Sequence, residues 1–266
     1  MTQIHPTAIV EKGAELGNDV TVGPFAYIGA HVKLGDGTQV ASHAVIEGFT
    51  TIGKNNRIFS HAAVGTIPQD LKYAGEESEL IIGDNNIIRE FTLFNPGTKG
   101  GGMVTRIGNR NLFMGYVHLG HDVIIGDECI LANGATLAGH VELGDHVVIG
   151  GLTPVHQFVH IGDYAMIAGA SAVAQDIPPF CLAEGNRAVL RGLNLTGLRR
   201  KLPREAIDAL KSAYRELFEK GQPIQEVAQR LYDTEGISPY VKELCRFIKT
   251  SKRGIPYKRK LNNEEK

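Results

Sequence analysis

An aliphatic residue recurs at every sixth position over most of this chain, and this period restricts the possible folds more than any other feature. Starting at Ile4, every sixth residue as far as Val64 is Ile, Leu or Val. The series resumes over 82–94 and 107–173, where only Phe94 and Phe113 depart from it. Four residues after each aliphatic, the side chain is usually small or β-branched. Inward positions two residues apart, repeated every six, predict many short strands, each followed by a turn.

A longer period of 18 residues lies on top of the hexads. The pattern [LI]-G-[DNK] places its glycine at 17, 35 and 53, then at 83, and then at 108, 126, 144 and 162. Three hexads make one coil, which predicts a triangular prism, and we expect these corner glycines to adopt positive φ. The steps of 30 and 25 contain 12 and 7 extra residues. They predict two loops that leave the prism, near 66–80 and near 98–106.

The hexads stop at Pro178-Pro179, and the spacing of apolar residues then becomes helical. The fold class is therefore an all-β parallel β-helix over 1–179, followed by an α-helical C-terminal domain over 180–266. Helices are predicted over 203–220 and 224–232, and a further helix is predicted to begin at Ser238-Pro239.

The composition excludes several classes of protein. A net charge of −1 argues against a dedicated nucleic-acid binder. The three cysteines, Cys129, Cys181 and Cys245, lie far apart, so a disulfide framework is not expected. The N-terminus lacks a long apolar stretch, and no apolar run reaches the length of a membrane helix. We expect a cytoplasmic protein without an integral membrane segment.

Histidines are concentrated in one part of the predicted prism. Six of the ten lie between 118 and 160, all in outward positions: His118, His121, His140, His146, His156 and His160. His121, Gly139 and Gln157 are one coil apart and are expected to stack along one edge, about 5 Å from coil to coil. An imidazole next to a bare backbone N–H suits a general base beside an oxyanion donor. A site on a convex prism needs a loop or another subunit to exclude water.

Other interpretations of these residues remain open. Asp122 follows His121, but adjacent strand residues face opposite ways, so we do not expect a direct pair. His118, His121 and His140 also permit zinc, as in the trimeric β-helix carbonic anhydrases, although their spacing is not diagnostic. The basic segment 187–204 contains no acidic residue. This segment could bind phosphate or an acidic protein partner. Alternatively, it is an ordinary solvent-exposed segment that leads into a helix.

Six segments together resemble the UDP-N-acetylglucosamine acyltransferase family, within the hexapeptide-repeat superfamily. They are QDLKYAGE at 69–76, HLGHD at 118–122, ILAN at 130–133, ATLAGH at 135–140, VHQF at 155–158 and EGN at 184–186. Parallel crossovers are nearly always right-handed. The resemblance nevertheless implies a left-handed β-helix.

The resemblance also implies an activity and a set of site residues. The family is a cytosolic homotrimer that moves an (R)-3-hydroxyacyl chain from acyl carrier protein to the 3-position of UDP-N-acetylglucosamine, which starts lipid A synthesis. It needs no metal or diffusible cofactor. His121 corresponds to the general base and Gly139 to the oxyanion donor. The implied substrate-binding residues are Asp70, Lys72, His118, His140, Gln157, Asn194 and Arg200, and Gly169 corresponds to the position that limits acyl-chain length.

One short segment departs from the family pattern. Where the family commonly has His-Arg-Gly-Thr, this chain has Asn95-Pro96-Gly97-Thr98, which removes a backbone donor and a positive charge. This departure motivates the hypothesis that the acceptor is a UDP-sugar with a 3-amino group, which would give an amide product. A zinc hydratase of the same fold is a further alternative.

Overall fold

A computed structural model of the chain describes residues 1–257. This part of the chain forms 27 strands, most of them two residues long, and four helices. The first nine strands are β1 (Gln3–Ile4), β2 (Ile9–Val10), β3 (Glu15–Leu16), β4 (Thr21–Val22), β5 (Tyr27–Ile28), β6 (Lys33–Leu34), β7 (Gln39–Val40), β8 (Val45–Ile46) and β9 (Phe49–Ile52). The next nine are β10 (Arg57–Ile58), β11 (Ala63–Val64), β12 (Glu79–Ile82), β13 (Ile87–Ile88), β14 (Leu93–Phe94), β15 (Val104–Ile107), β16 (Leu112–Phe113), β17 (His118–Leu119) and β18 (Ile124–Ile125). The last nine are β19 (Ile130–Leu131), β20 (Thr136–Leu137), β21 (Glu142–Leu143), β22 (Val148–Ile149), β23 (Pro154–Val155), β24 (His160–Ile161), β25 (Met166–Ile167), β26 (Cys181–Glu184) and β27 (Val189–Leu193). The helices are α1 (Leu195–Lys201), α2 (Arg204–Phe218), α3 (Ile224–Tyr232) and α4 (Pro239–Thr250).

The strands wind into a left-handed parallel β-helix with three sheets. Every third strand from β1 to β25 belongs to sheet A, every third from β2 to β23 to sheet B, and every third from β3 to β24 to sheet C. The prism therefore has an A–B corner, a B–C corner and a C–A corner, each named for the sheets whose strands it joins. The fold predicted from the hexads and the family resemblance is confirmed.

Neighbouring coils pair in parallel with the predicted register. Thr21 pairs with Gln39, 18 residues later. Arg57 pairs with Ile87, and Ile87 with Leu112, so the steps of 30 and 25 leave the ladder intact. The extra residues form a first loop (65–78), between β11 and β12, and a second loop (95–103), between β14 and β15. Both loops leave the prism at the B–C corner, and the second lies three residues earlier than the count of glycines indicated.

The two inward positions of each hexad fill the prism. Val20, Ala26 and Ile28 illustrate the alternation, because each is 0–1% exposed. Burying one such aliphatic side chain contributes about 1.5–3 kcal/mol relative to leaving it exposed. The repeated inward pair therefore stabilises each coil against its neighbours, and the outward positions are left free to carry function.

The prediction that the corner glycines adopt positive φ is wrong. Positive φ falls two residues later instead, for example at Asp19 and Asn55. Glycine is needed at the predicted positions because successive corners pack backbone on backbone. A Cβ at Gly35 would lie 2.6 Å from the carbonyl carbon and oxygen of Gly53, and one at Gly53 would lie 2.8 Å from the Gly83 oxygen.

Residues 181–193 form two strands rather than helix, which the hexad pattern did not predict. β26 pairs in parallel with β25, and β27 pairs antiparallel with β26. These strands extend sheet A and cover the open edge of the last coil, where unpaired backbone groups would otherwise remain. The placement of a domain boundary between residues 179 and 180 stays a prediction, and residues 258–266 of the expected helical domain lie outside the described residues.

Helices α2, α3 and α4 coincide with the three that the apolar spacing predicted. In α2 the buried residues Ile207, Leu210 and Leu217 form one face, and Gly221 follows at a φ of 70°. Ser238 is the N-cap of α4 and Pro239 occupies its first turn. Among residues 1–257, no helix combines the length and apolar character needed to cross a bilayer.

Candidate active site

The two inserted loops are joined to each other beside the B–C corner. The Asn95 side-chain amide donates to the main-chain oxygens of Thr66 at 3.0 Å and Ile67 at 3.1 Å. The Glu76 carboxylate accepts the Lys99 N–H at 3.0 Å and the Ala74 N–H at 2.8 Å. These backbone donors, that of Lys99 first, lower the pKa of Glu76. The loops therefore form one unit, and Asn95, part of the departure from the family pattern, is buried with an internal structural role.

His121 and Asp122 form a hydrogen-bonded dyad on this corner. The Nδ1 atom of His121 lies 2.7 Å from Oδ2 of Asp122, whose side chain is 1% exposed. The expectation that these neighbours would not pair is wrong, because Asp122 is a corner residue with a φ of 59° rather than part of a strand. The ionised carboxylate accepts the Nδ1 proton, so the Nε2 lone pair is left free. His121 Nε2 lies 4.0 Å from Oδ2 of Asp70, on the first loop.

Gly139 lies against the His121 ring, as the 18-residue ladder predicted. A Cβ at Gly139 would be 2.6 Å from both Cε1 and Nε2 of His121. The Gly139 N–H donates to no acceptor among the hydrogen bonds of residues 1–257. At the C–A corner the equivalent N–H groups are occupied, since Asp127 donates to the Asp145 carboxylate and Asp145 to the Asp163 carboxylate. The B–C corner thus presents a free backbone donor beside a free imidazole nitrogen.

His140 completes the imidazole cluster at this corner. Its ring meets that of His121 edge-on at 4.9 Å and stacks on Phe158 at 4.4 Å. Burial is the largest effect on its pKa and lowers it, although the Asp122 carboxylate opposes the shift. His140 is therefore held neutral near pH 7. Phe158 was not singled out by the sequence, and its place in the ladder next to His140 was the available signal.

The remaining predicted residues near the dyad lie on the same side of the prism. His118 projects from sheet B, with its Nδ1 atom 3.2 Å from the Leu93 oxygen, and burial lowers its pKa. Gln157 is exposed one coil beyond Gly139. On the first loop, Oδ1 of Asp70 accepts the N–H of Lys72 at 3.0 Å, and the Lys72 side chain is exposed.

Comparisons with known proteins identify the family. Residues 176–256 match the model for the second domain of UDP N-acetylglucosamine O-acyltransferase, and residues 105–139 match the bacterial transferase hexapeptide model. The acyl-[acyl-carrier-protein]--UDP-N-acetylglucosamine O-acyltransferase of Sulfurovum sp. (strain NBC37-1) is 79% identical over 260 residues, which cover 98% of this chain and 100% of that protein. The chain belongs to the UDP-N-acetylglucosamine O-acyltransferase family. The enzyme of the same name from Aliarcobacter butzleri is 69% identical over 98% of this chain and 100% of its own. The solved structure of UDP-N-acetylglucosamine acyltransferase from Campylobacter jejuni superposes with a TM-score of 0.93 at 49% identity, covering 97% of this chain and 100% of that one.

Two residues that the family resemblance implied lie on another face of this acyltransferase. Asn194 and Arg200 line a cavity of about 530 Å³ above the outward side of sheet A, together with Ile130 and Tyr164. Asn194 caps α1 by accepting the Gly197 N–H, and its amide donates to the Tyr164 oxygen. Gly169 follows β25 at the A–B corner and is exposed. One chain therefore does not gather all the predicted substrate contacts into one cleft.

Three side chains of this acyltransferase lie close enough together to be considered as metal ligands. One ligand atom each from His121, Asp122 and His140 lies within 4.8 Å of the other two. Among residues 1–257, no other group of three or more His, Cys, Asp or Glu residues brings its ligand atoms this close together. His118, the third member of the predicted zinc set, is not part of it. Both oxygens of Asp122 already accept hydrogen bonds inside the protein, which weakens it as a metal ligand.

Proposed function

We propose that this protein transfers an (R)-3-hydroxyacyl chain from acyl carrier protein to the 3-hydroxyl of UDP-N-acetylglucosamine, the first step of lipid A biosynthesis. The observation that carries the proposal is the His121–Asp122 dyad facing the free Gly139 N–H in a chain of this family. The family resemblance implies a cytosolic enzyme, so we place the reaction in the cytoplasm.

Each group at the B–C corner has a step in this reaction. Nε2 of His121 takes the proton of the 3-hydroxyl while the sugar oxygen attacks the thioester carbonyl. The Gly139 N–H donates a hydrogen bond to the carbonyl oxygen and stabilises the negative charge that this oxygen carries in the tetrahedral intermediate. That intermediate collapses as the C–S bond breaks, and the departing thiolate takes the proton back from His121. The Asp122 carboxylate keeps the imidazole oriented and stabilises its protonated form. The thioester supplies the activation, so no metal or cofactor takes part.

Direct product analysis tests this function. Purified protein is offered UDP-N-acetylglucosamine with a series of acyl carrier protein thioesters, and the product is examined by mass spectrometry. We expect an ester of UDP-N-acetylglucosamine, with one chain length favoured. A parallel reaction with the 3-amino analogue tests the alternative acceptor, which the family name does not favour. Formation of the amide alone, or of no product from any donor, would contradict the proposal.

We place the nucleotide near the cavity on sheet A and the end of the acyl chain near Gly169. Arg200 supplies a positive charge suited to phosphate, and the outward aliphatic Ile130 supports an apolar ring face. At Gly169 a Cβ would meet the Gly151 oxygen only at 3.4 Å, so glycine is not required there by local packing. A small residue at that point leaves room for a chain end, and the donor series reports the length that is accepted.

The basic residues that precede α2 suit the acidic surface of the carrier. Arg187 and Arg199 are exposed, and neither forms an ion pair among the described residues. Other cations of the segment are engaged, because Lys201 pairs with Glu128 at 2.8 Å. We therefore assign the free arginines to acyl carrier protein, with electrostatic attraction that speeds docking.

A homotrimer resolves the separation of the two halves of the site. His121 lies at the B–C corner and Arg200 above sheet A, so threefold packing of prisms can place the corner of one chain against the face of the next. The A–B corner carries an exposed stack of rings in which Phe25, His43, His61, Phe91 and Tyr116 follow one another at about 5 Å. Phe25 and Tyr116 are 59% and 64% exposed. Such an apolar stripe is typical of an interface, and we assign it to contacts between copies of this chain.

Mixed trimers of His121→Ala and Arg200→Ala subunits are expected to regain activity that each variant alone lacks. If every site joins His121 of one chain to Arg200 of the next, each mixed trimer holds one intact site of three, which gives about a third of the wild-type rate. The two chains are co-expressed with different affinity tags, and doubly selected trimers are assayed. Mixed trimers no more active than their parents would show that the two residues serve the same chain.

A further inference from the structure

The carboxylate of Asp122 receives all its hydrogen bonds from only two residues of the described chain. His121 Nδ1 lies 2.7 Å from Oδ2, and the remaining donors both belong to Thr98. The Thr98 N–H donates to Oδ1 at 2.9 Å, and its hydroxyl donates to Oδ2 at 2.6 Å. Thr98 and Asp122 are each 4% exposed. Oδ2 of Asp122, which holds the catalytic imidazole, therefore also accepts the hydrogen bond of the Thr98 hydroxyl.

A tight turn in the second loop places Thr98 against the Asp122 carboxylate. The N–H groups of Gly101 and Met103 both donate to the Thr98 oxygen at 3.0 Å, which closes a tight turn over the carboxylate. A Cβ at Gly101 would overlap the Asp122 carboxylate. The main-chain N–H of Asp122 in turn donates to Thr105 Oγ1 at 2.9 Å, just beyond the loop. The turn thus holds Thr98 over the carboxylate, and Thr105 holds the main chain of Asp122 beneath it.

We infer that Thr98 is a positioning residue for the general base, which it orients by holding the Asp122 carboxylate. This inference rests on the proposed acyl transfer. A hydroxyl that donates to an ionised carboxylate forms a short, charge-assisted hydrogen bond. With both oxygens held, Asp122 cannot rotate away from His121, and the imidazole keeps its proton on Nδ1 and its lone pair on Nε2. The second loop thereby helps to position the general base, although it does not contact the reacting atoms.

Two substitutions at Thr98 separate the hydroxyl from the bulk of the side chain. Thr98→Val keeps the shape and the main-chain N–H but removes the hydroxyl donor, whereas Thr98→Ser keeps the donor. We expect Thr98→Val to lower kcat about ten- to hundredfold, the range for a hydrogen bond to a charged group, with the KM of both substrates unchanged. Thr98→Ser is expected to restore kcat to within about threefold of the wild type, since the hydroxyl can make the same bond.

A control variant distinguishes positioning from loss of stability. Thr50 is a buried threonine whose hydroxyl donates at 2.6 Å to the Glu47 oxygen, at the B–C corner two coils before the one that carries Thr98. Thr50→Val is expected to lower the melting temperature without changing kcat. Wild-type kcat in Thr98→Val, or equal losses in folded Thr98→Val and Thr98→Ser, would overturn the inference. An inactive wild type would instead contradict the proposed function.

A spectroscopic measurement on the wild-type protein covers the case in which Thr98→Val does not fold. Nitrogen-15 correlation spectra of the imidazoles, assigned by the signal lost in His121→Ala, report which ring nitrogen carries the proton. We expect the Nδ1–H tautomer for neutral His121. The Nε2–H tautomer would show that the Asp122 carboxylate held by Thr98 does not accept the Nδ1 proton of His121. That result would overturn the inference.

Discussion

Replacement of His121 by alanine is expected to reduce kcat by about 10²–10⁴-fold, the contribution of a positioned general base. The imidazole is 19% exposed and belongs to no part of the aliphatic core, so its removal leaves the coils intact. The steady-state rate with saturating donor and acceptor measures the effect. Circular dichroism and the molecular mass in solution confirm that the variant stays folded and assembled.

His31→Ala is a matched control for the His121 variant. His31 lies at the same B–C corner several coils away, where its exposed ring stacks on Phe49 at 4.6 Å. It contacts none of the proposed site residues, so we expect wild-type activity. Full activity in folded His121→Ala would show that His121 is not the base, whatever the family of the chain.

Gly139→Ala is expected to lower kcat by about 10²-fold or more, although it adds a single methyl group. The added Cβ would lie 2.6 Å from Nε2 of His121, so the ring must move from the position that Asp122 gives it. The same shift separates the base from the backbone N–H, and one oxyanion donor is worth about 3–4 kcal/mol. The measurement is kcat together with the melting temperature, which separates displacement of the base from unfolding.

Gly100→Ala provides the comparison for this substitution. Gly100 lies on the second loop, where a Cβ would meet no heavy atom within 4 Å, so the change adds a methyl group in open space. We expect kcat and the melting temperature of Gly100→Ala to match the wild type. Gly139→Ala with wild-type kcat would mean that the ring and the backbone donor are not used together.

The sequence predicted the ladder that carries the proposed chemistry, because stacking in a solenoid follows from period alone. His121 and Gly139 are 18 residues apart, and the fold brings them into contact. The sequence located the corner glycines correctly, but the reason predicted for them was wrong. Glycine is needed at position 35 because the Gly53 backbone approaches closely, not because residue 35 adopts positive φ. A period reports which residues are stacked, but it does not report how close their backbones come.

The dyad shows where sequence reasoning failed for a local reason. Alternation along a strand argued that His121 and Asp122 face opposite ways, yet positive φ at Asp122 brings both side chains to one side. Thr98 belongs to the segment that departs from the family pattern, and nothing in the sequence predicted that it contacts Asp122. Its contact with Asp122 spans 24 residues and depends on the turn of an inserted loop, which no repeat describes.

The sequence by itself determined the coil, its three sheets and the edge on which the site lies, because burial of aliphatic residues at a fixed period specifies where each strand and each turn falls. The period does not specify the hand of the coil, which the family resemblance supplied. Only the tertiary structure decided which atoms at that edge are bonded and which are free. Corner dihedral angles and inserted loops set those contacts, and they depend on packing between distant residues rather than on period. For the same reason, the tertiary structure alone shows Arg200 on a different face from His121.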